Sequence, residues 1–119
     1  MKYHIGIDIS KRDFHVCFEE GDKIDKFGNE KKGIDDFLEK LKEQKMTKGK
    51  TLIGLEATGS YHLLVAYRCT QSGYTVNVIN PLITRKQNQT NLRRVKTDSA
   101  DAKLVRHCLI SGAGYPFCE

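Results

Sequence analysis

The sequence has no apolar run long enough to cross a membrane, and its N-terminus lacks the pattern of a signal peptide. A spanning helix needs about 20 apolar residues, whereas the first apolar run of this chain already carries the acidic Asp8. A signal peptide needs an uninterrupted apolar stretch behind a basic start. Both absences predict a cytoplasmic protein that has no membrane partner.

Paired cysteines, low-complexity segments and repeats of solenoid length are also missing. The four cysteines form no Cys-x-x-Cys pair, which argues against a zinc knuckle and a disulfide scaffold, and we expect reduced, mostly buried thiols. They are Cys17, Cys69, Cys108 and Cys118. The 119 residues fit a single domain, 1–119, that is large enough to bury a core.

Acidic residues are scarce in one part of the chain. Between Arg85 and His107 there are two acids and seven basic residues, a surplus equal to the formal net charge of the whole sequence, +5. A basic stretch that flanks carboxylates favours a polyanionic partner, and a solvated face without a partner is the alternative. The basic residues are Arg85, Lys86, Arg93, Arg94, Lys96, Lys103 and Arg106.

The first predicted strand, Lys2 to Lys11, ends in a carboxylate. Alternation places its isoleucines on one face and both Gly6 and Asp8 on the other. Taken alone, an Asp at a strand end is most often a turn former. Residues 13–18 alternate in the same way, and residues 23–28 are short and charged. The sheet is therefore expected to start as an antiparallel meander with its third strand at the edge.

A later strand repeats the pattern of the first. Residues 33–45 have the apolar spacing of a surface helix, and residues 51–56 follow as a strand in which glycine again lies two positions before the acid, Glu56. A helix between two such strands implies a right-handed crossover and parallel pairing. Parallel neighbours bring Asp8 and Glu56 together at one sheet edge.

The next elements along the chain are another helix and a fifth strand. A helix capped within residues 58–60 runs to about residue 72 and is apolar on several sides, as expected of a helix covered by its neighbours. Residues 74–80 read as a third parallel strand, and residues 82–91 fit a mobile linker or a frayed helix. The predicted class is α/β, with a mixed five-stranded sheet and helices on both faces.

The last predicted helix, from Asp98 to about Ser111, carries two acids on its buried side. At 100° per residue, several residues of this helix fall on one stripe that is expected to pack against the sheet. Lys103 and Arg106 lie outside this stripe. Capping of the helix N-terminus is the alternative role for the acids. The stripe consists of Asp98, Asp101, Val105, Cys108 and Leu109.

Convergence of the four acids would be electrostatically unfavourable without a cation. Two like charges about 4 Å apart repel by about 4 kcal/mol at an effective dielectric constant near 20. Hard divalent ions with oxygen ligands, Mg²⁺ or Mn²⁺, suit such a cluster and promote in-line phosphoryl displacement. The candidate catalytic and metal-binding residues are Asp8, Glu56, Asp98 and Asp101.

Three segments carry a family resemblance: GIDISK, GLEATGSYH and KTDSADA, with the strand end VNVINP between the last two. In this order they resemble the N-terminal domain of the DEDD transposases of insertion-sequence family 110, over almost the whole chain. The resemblance implies a RuvC-like domain of ribonuclease H-like fold, whose four acids fall on Asp8, Glu56, Asp98 and Asp101 and bind Mg²⁺. It further implies a DNA recombinase that is guided by a structured RNA and works as a homo-oligomer.

The resemblance also implies a second domain, which supplies a nucleophilic serine and is expected to lie beyond this chain. Ser10, Ser60 and Ser99 are therefore interpreted as turn, cap and helix-start residues rather than nucleophiles. His62 follows the strand that ends at Glu56. Two roles are open for it: a position close to the metal site, or that of a hydrogen-bonded structural residue. His15 is open to the same two interpretations.

Three other interpretations compete with a transposase domain. A junction resolvase or another ribonuclease H-like nuclease would share the metal chemistry, although the KTDSADA spacing argues against it. An actin-like ATPase or sugar kinase would need a glycine-rich phosphate loop after the first strand, which the sequence lacks. In a nonenzymatic nucleic-acid-binding module the carboxylates would be structural, and independence from metal would identify it.

Overall fold

The computed structural model describes residues 2–19, 23–82, 84 and 98–117, and only the backbone of residues 98–101. A short 3-10 turn at Lys48–Lys50 precedes the fourth strand. The elements in chain order are β1 (Tyr3–Ile9), β2 (Asp13–Cys17), β3 (Asp25–Gly28), α1 (Lys31–Glu43), β4 (Thr51–Glu56), α2 (Leu63–Gln71), β5 (Thr75–Ile79), α3 (Asp98–Ile110) and β6 (Tyr115–Pro116).

The strands of the described part form a mixed sheet in the order β3-β2-β1-β4-β5-β6. β1, β2 and β3 are an antiparallel meander, and β1, β4 and β5 are parallel neighbours, as predicted. The predicted number of five strands is wrong, because Tyr115–Pro116 pairs antiparallel with β5 as a sixth. A two-residue strand that contains a proline has no alternating pattern, and proline is tolerated at a sheet edge.

The alternation in β1 separates two layers. Ile5 and Ile7 are fully buried in the larger core, which the sheet forms with α1 and α2. The opposite face packs against α3, whose Val105 and Leu109 are almost fully buried with Ile79 of β5. Helices therefore cover both faces of the sheet, as the class prediction requires.

Local packing corrects two predictions about α2. The helix begins at Leu63 rather than at a cap within residues 58–60, and its preceding residue makes no side-chain capping bond. Its apolar residues are not covered on all sides either. Leu63, Leu64 and Tyr67 are 47%, 43% and 48% exposed, so one face of α2 remains open to solvent.

Three cysteines have the predicted buried thiols. Cys17, Cys69 and Cys108 are free and buried, whereas Cys118 lies outside the described residues. Burial raises the pKa of Cys69 to about 12, so this thiol stays protonated and unreactive at neutral pH.

The described helices are too short or too polar to cross a membrane. The predicted linker over residues 82–91 falls outside the described part except for Leu82 and Thr84.

Candidate metal centre

Two carboxylates lie side by side at the carboxyl ends of β1 and β4. The register of these parallel strands pairs Ile7 with Leu55, so the next residues, Asp8 and Glu56, are neighbours on strands about 4.8 Å apart. Both residues are half-buried. On the other side of Asp8, the antiparallel register pairs it with His15 of β2. The repeated glycine-apolar-acid pattern thus indicates the correct neighbours.

Gly6 brings α3 into direct contact with the strand that carries Asp8. A Cβ atom added to Gly6 would lie 2.5 Å from the carbonyl oxygen of Ala102 and 2.6 Å from Cβ of Arg106, and would also meet the backbone nitrogen of Arg106. The Nε atom of Arg106 donates a hydrogen bond to the carbonyl oxygen of His4 at 2.8 Å. Backbone contact of this kind needs glycine in the strand. Since side chains alternate, Asp8 faces the same layer as α3.

Gly54 has the corresponding position in β4. A Cβ atom there would lie 2.8 Å and 2.9 Å from the two Cδ atoms of Leu109, which is a side-chain contact rather than a backbone contact. Glu56, two residues later, therefore faces the α3 layer as well. Each glycine makes room for the helix, and each acid that follows it lies on the face that the helix covers.

The two predicted acids of α3 begin this helix. Asp98 is its first residue, and Asp101 immediately precedes Ala102, whose carbonyl contacts Gly6. One helical turn rises about 5.4 Å, so the backbone of both acids lies within about one turn of a contact with β1. The side chains of Asp98 and Asp101 lie outside the described part.

Thr84 is a contact of Glu56 that the sequence does not reveal. Its side chain is 5% exposed, and its Oγ1 atom donates a hydrogen bond to Oε2 of Glu56 and lies 2.9 Å from the carbonyl oxygen of Pro81. The hydroxyl has one proton and two acceptors, and the charged carboxylate is the stronger acceptor. Thr84 therefore restrains the orientation of Glu56. No sequence pattern around Thr84 indicates that its hydroxyl contacts Glu56.

Hydrogen bonds also fix the loops around this edge. The Nδ2 atom of Asn29 donates to the carbonyl oxygens of Ser10 and Tyr61, at 2.9 Å and 3.0 Å, and so joins the β1–β2 turn to the segment before α2. The backbone N–H of Thr58 donates to Nδ1 of His62 at 3.2 Å. His62 is 8% exposed, and burial lowers its pKa. These contacts match the structural interpretation of this histidine.

The negative charge of Glu56 acts on a side chain of α3. Burial, and after it the charge of Glu56, raises the pKa of the Cys108 thiol. The carboxylate is thus close enough to the α3 layer to act on it electrostatically.

The donor set fits a hard divalent ion. Asp8 and Glu56 supply carboxylate oxygens, the donors that Mg²⁺ and Mn²⁺ prefer. Among the described side chains no group of three or more His, Cys, Asp or Glu residues is arranged to hold a metal. The acids that would complete such a group are Asp98 and Asp101, for which the backbone alone is described.

Most of the predicted nucleic-acid-binding residues cannot be located relative to this edge. Lys103 and Arg106 lie on α3, and both are half-buried. The prediction that Arg106 lies off the stripe facing the sheet is wrong, because its backbone and Cβ contact Gly6 and its Nε donates to the carbonyl oxygen of His4. The others, Arg85, Lys86, Arg93, Arg94 and Lys96, lie outside the described residues.

Comparison with known proteins gives three kinds of match. Residues 5–113 match the family model of the DEDD transposases of insertion-sequence family 110, described as Transposase. The pilin gene-inverting proteins of Moraxella lacunata and Moraxella bovis are each 28% identical over 106 residues, which cover 87% of this chain and 33% of the relative. The chain thus spans about a third of the length of these relatives.

The solved structures with this fold include RuvC of Thermus thermophilus. RuvC in complex with a Holliday junction substrate matches with a TM-score of 0.60 at 11% identity, over 98% of this chain and 100% of that chain. A second RuvC structure matches with a TM-score of 0.55 at 12% identity, over 95% and 98% of the two chains. At this identity the likeness shows the fold, which is RuvC-like as predicted.

Proposed function

The chain belongs to the DEDD transposase family of insertion-sequence family 110, and on this premise we propose that it is the metal-dependent DNA-cleaving and strand-transferring domain of a recombinase. The curated relatives are about three times as long as the matched segment, which supports a domain of a longer protein whose serine-containing part lies elsewhere. Recombination then requires more than this domain.

One observation carries the proposal. Asp8 and Glu56 are neighbours at the carboxyl ends of parallel strands, and the helix that starts with Asp98 and Asp101 contacts β1 two residues before Asp8. The backbone positions of four acids from three distant parts of the sequence thereby support the proposal that their carboxylates converge. Four carboxylates that converge are unfavourable for folding unless they bind cations, so the convergence that we propose requires a metal ion.

The carboxylates of Asp8, Glu56, Asp98 and Asp101 would hold Mg²⁺ or Mn²⁺. When bound, such ions stabilise the charge on the attacking and leaving oxygens of a phosphodiester. Thr84 keeps the Glu56 carboxylate oriented. The phosphate backbone is held by the basic residues on and before α3, which are Arg85, Lys86, Arg93, Arg94, Lys96, Lys103 and Arg106.

The family match favours a transposase over a junction resolvase or an unrelated nuclease of the same fold. The similar RuvC structure contains a Holliday junction, and a four-way junction is therefore a sensible DNA substrate to offer the domain alongside duplex DNA. A nonenzymatic nucleic-acid-binding module remains the alternative of another class. It predicts binding that needs no divalent ion.

The partners we propose for the full-length protein are DNA, a structured guide RNA and further copies of the protein, in the cytoplasm. The guide RNA is supported by the family resemblance. Self-association is supported in addition by the open apolar face of α2, where Leu63, Leu64 and Tyr67 are exposed.

Calorimetric titration with Mn²⁺ tests the metal centre. We expect binding by the wild type and a loss of at least about tenfold in affinity for Asp8→Asn and Glu56→Gln. The matched control is Asp36→Asn, which removes an exposed acid that pairs with Lys32 on α1. It should leave Mn²⁺ affinity unchanged.

Each carboxylate variant should fold as well as the wild type or slightly better, because one of several repelling charges is removed. Thermal unfolding of the same samples checks this expectation. Equal Mn²⁺ affinities in wild type, Asp8→Asn and Glu56→Gln would refute the proposed centre.

A further inference from the structure

A basic groove lies at the edge of the sheet opposite the carboxylates. It has a volume of about 670 Å³ and is formed where α1 leads into β4 and where β5 begins. Its lining consists of Lys42, Lys45, Met46, Thr47, Lys48, Gly49 and Tyr74. Three of the lining residues are lysines and none is an acid, while most of the surface of the wall is apolar.

The apolar part of the groove is held rigidly. Met46 and Tyr74 are each 5% exposed, and the Tyr74 hydroxyl donates a hydrogen bond to the carbonyl oxygen of Met46 at 3.1 Å. The stem of Lys48 lies over Gly73, where an added Cβ atom would be 2.8 Å from the lysine Cδ. The base of the groove is therefore fixed by packing and by a hydrogen bond, and the stem of Lys48 lies along it.

The positive charge of the groove is not neutralised by neighbours in the described part. Residues 40–50 contain five lysines and one acid, and Lys40 is paired with Asp25 at 3.3 Å. None of the described ion pairs includes Lys42, Lys45 or Lys48. Three uncompensated lysines around one groove favour a polyanionic ligand.

Lys45 occupies a backbone position that normally belongs to glycine. Its φ of 59° is the only positive value among the described residues other than glycine. The N–H of Lys45 donates to the carbonyl oxygen of Lys42 at 3.0 Å, and the N–H of Met46 donates to that of Leu41 at 2.9 Å, the bonds of a Schellman helix end. A lysine in this conformation is strained relative to a glycine.

We propose that this groove binds the phosphodiester backbone of a second nucleic-acid segment, distinct from the one that reaches the carboxylates. β4 runs from the groove edge at Thr51 to Glu56, a span of about 17 Å at about 3.3 Å per residue. A segment in the groove therefore does not occupy the cleavage site. Lysine ammonium groups bind phosphate as point charges without reading sequence, so RNA and DNA are both chemically suitable.

The proposal depends on the proposed function only for the class of ligand, because the groove and the metal centre share no residue. Their tests can therefore fail separately. Mn²⁺ affinity reports on the carboxylates, and the loss of nucleic-acid affinity on substitution of the groove lysines, measured without metal, reports on the groove.

The test measures binding by fluorescence anisotropy, in EDTA and at several salt concentrations, with an RNA hairpin and a DNA hairpin of the same sequence. The variants are Lys45→Gly and the triple substitution Lys42→Gln, Lys45→Gly and Lys48→Gln. The charge-matched control is Lys23→Gln, an exposed lysine that does not line the groove. Lys45→Gly relieves the strained backbone, so its thermal midpoint should not fall.

We expect Lys45→Gly to weaken binding about fivefold and the triple variant to reduce the slope of log K against log salt by about 2 to 3, since each lost phosphate contact removes about 0.7 to 0.9. Acetylation footprinting should show that the bound hairpin protects the three groove lysines and leaves Lys23 reactive. If the substitutions weaken the binding of only one of the two hairpins, the ligand of the groove is the nucleic acid of that hairpin. Affinities and slopes equal to those of Lys23→Gln would overturn the proposal.

Discussion

Substitution of Gly6 by alanine tests whether the close contact between α3 and β1 keeps the acids of α3 near Asp8. The added methyl group would meet the Ala102 carbonyl oxygen at 2.5 Å and the Arg106 Cβ at 2.6 Å, whereas ordinary contacts begin at 3.4 Å. The obstacle is mainly the backbone of α3, which cannot rotate away as a side chain can. The helix must therefore move by about 1 Å from the sheet.

The expected loss of stability lies at the upper end of the range for overpacking, about 3 kcal/mol. Unfolding entropies scale with chain length, so this loss corresponds to a fall of about 12 °C in the thermal midpoint of a chain of this size. A displaced α3 also carries its N-terminal acids away from Asp8. We therefore expect Mn²⁺ affinity to fall together with stability.

Gly54→Ala is the matched control, because the same methyl group is added on the same sheet face. Here the obstacle is the end of the Leu109 side chain, at 2.8 Å and 2.9 Å, which can change rotamer. The expected loss is about 1 kcal/mol, with little change in Mn²⁺ affinity. Both variants are compared by denaturant unfolding and by calorimetry at a temperature at which each is folded.

Equal losses of stability in the two alanine variants would show that α3 does not rest on β1 through Gly6. Unchanged Mn²⁺ affinity in a folded Gly6→Ala protein would contradict the idea that this contact delivers the acids of α3 to the site.

Three further predictions concern single side chains. Thr84→Val should lower Mn²⁺ affinity about tenfold, as loss of an outer hydrogen bond to a ligand does, and Thr84→Ser should restore it; equal affinities in calorimetry would rule out a positioning role. Burial lowers the pKa of His62, so its contribution to stability is present above about pH 6.5 and is lost as the pH falls towards the folded-state pKa, by at most about 1.4 kcal/mol per pH unit. His4 shifts in the same direction, and the difference between wild type and His62→Gln in denaturant titrations isolates His62; parallel curves would contradict the prediction. Lys45→Gly should raise the free energy of unfolding by about 0.5 to 1 kcal/mol, because glycine adopts the left-handed conformation without strain, and a decrease would refute this.

The sheet and the pairing of Asp8 with Glu56 follow from local pattern. Alternating isoleucines define the buried face of β1, and a helix between β1 and β4 favours their parallel pairing. The repeated glycine-apolar-acid pattern then places both acids on one face. The sequence does not say what each glycine accommodates. Gly6 makes room for the backbone of α3.

Other features depend on contacts between distant residues and leave little trace in sequence. Thr84 reaches Glu56 across 28 positions, and Asn29 joins Ser10 to Tyr61. β6 is too short for an alternating pattern to form. The basic groove escapes an analysis of net charge, because its lysines are balanced by acids elsewhere in the chain, and the fold alone gathers them around one opening.

The central claim is that Asp8 and Glu56 form a divalent-metal site together with the acids at the start of α3. Crystals of the domain soaked in Mn²⁺ test it directly through the anomalous signal of the metal. We predict anomalous density within about 2.5 Å of carboxylate oxygens of both Asp8 and Glu56, with Asp98 or Asp101 completing the coordination. Well-ordered carboxylates with no anomalous density between them, or Mn²⁺ bound only at other surface acids, would contradict the claim.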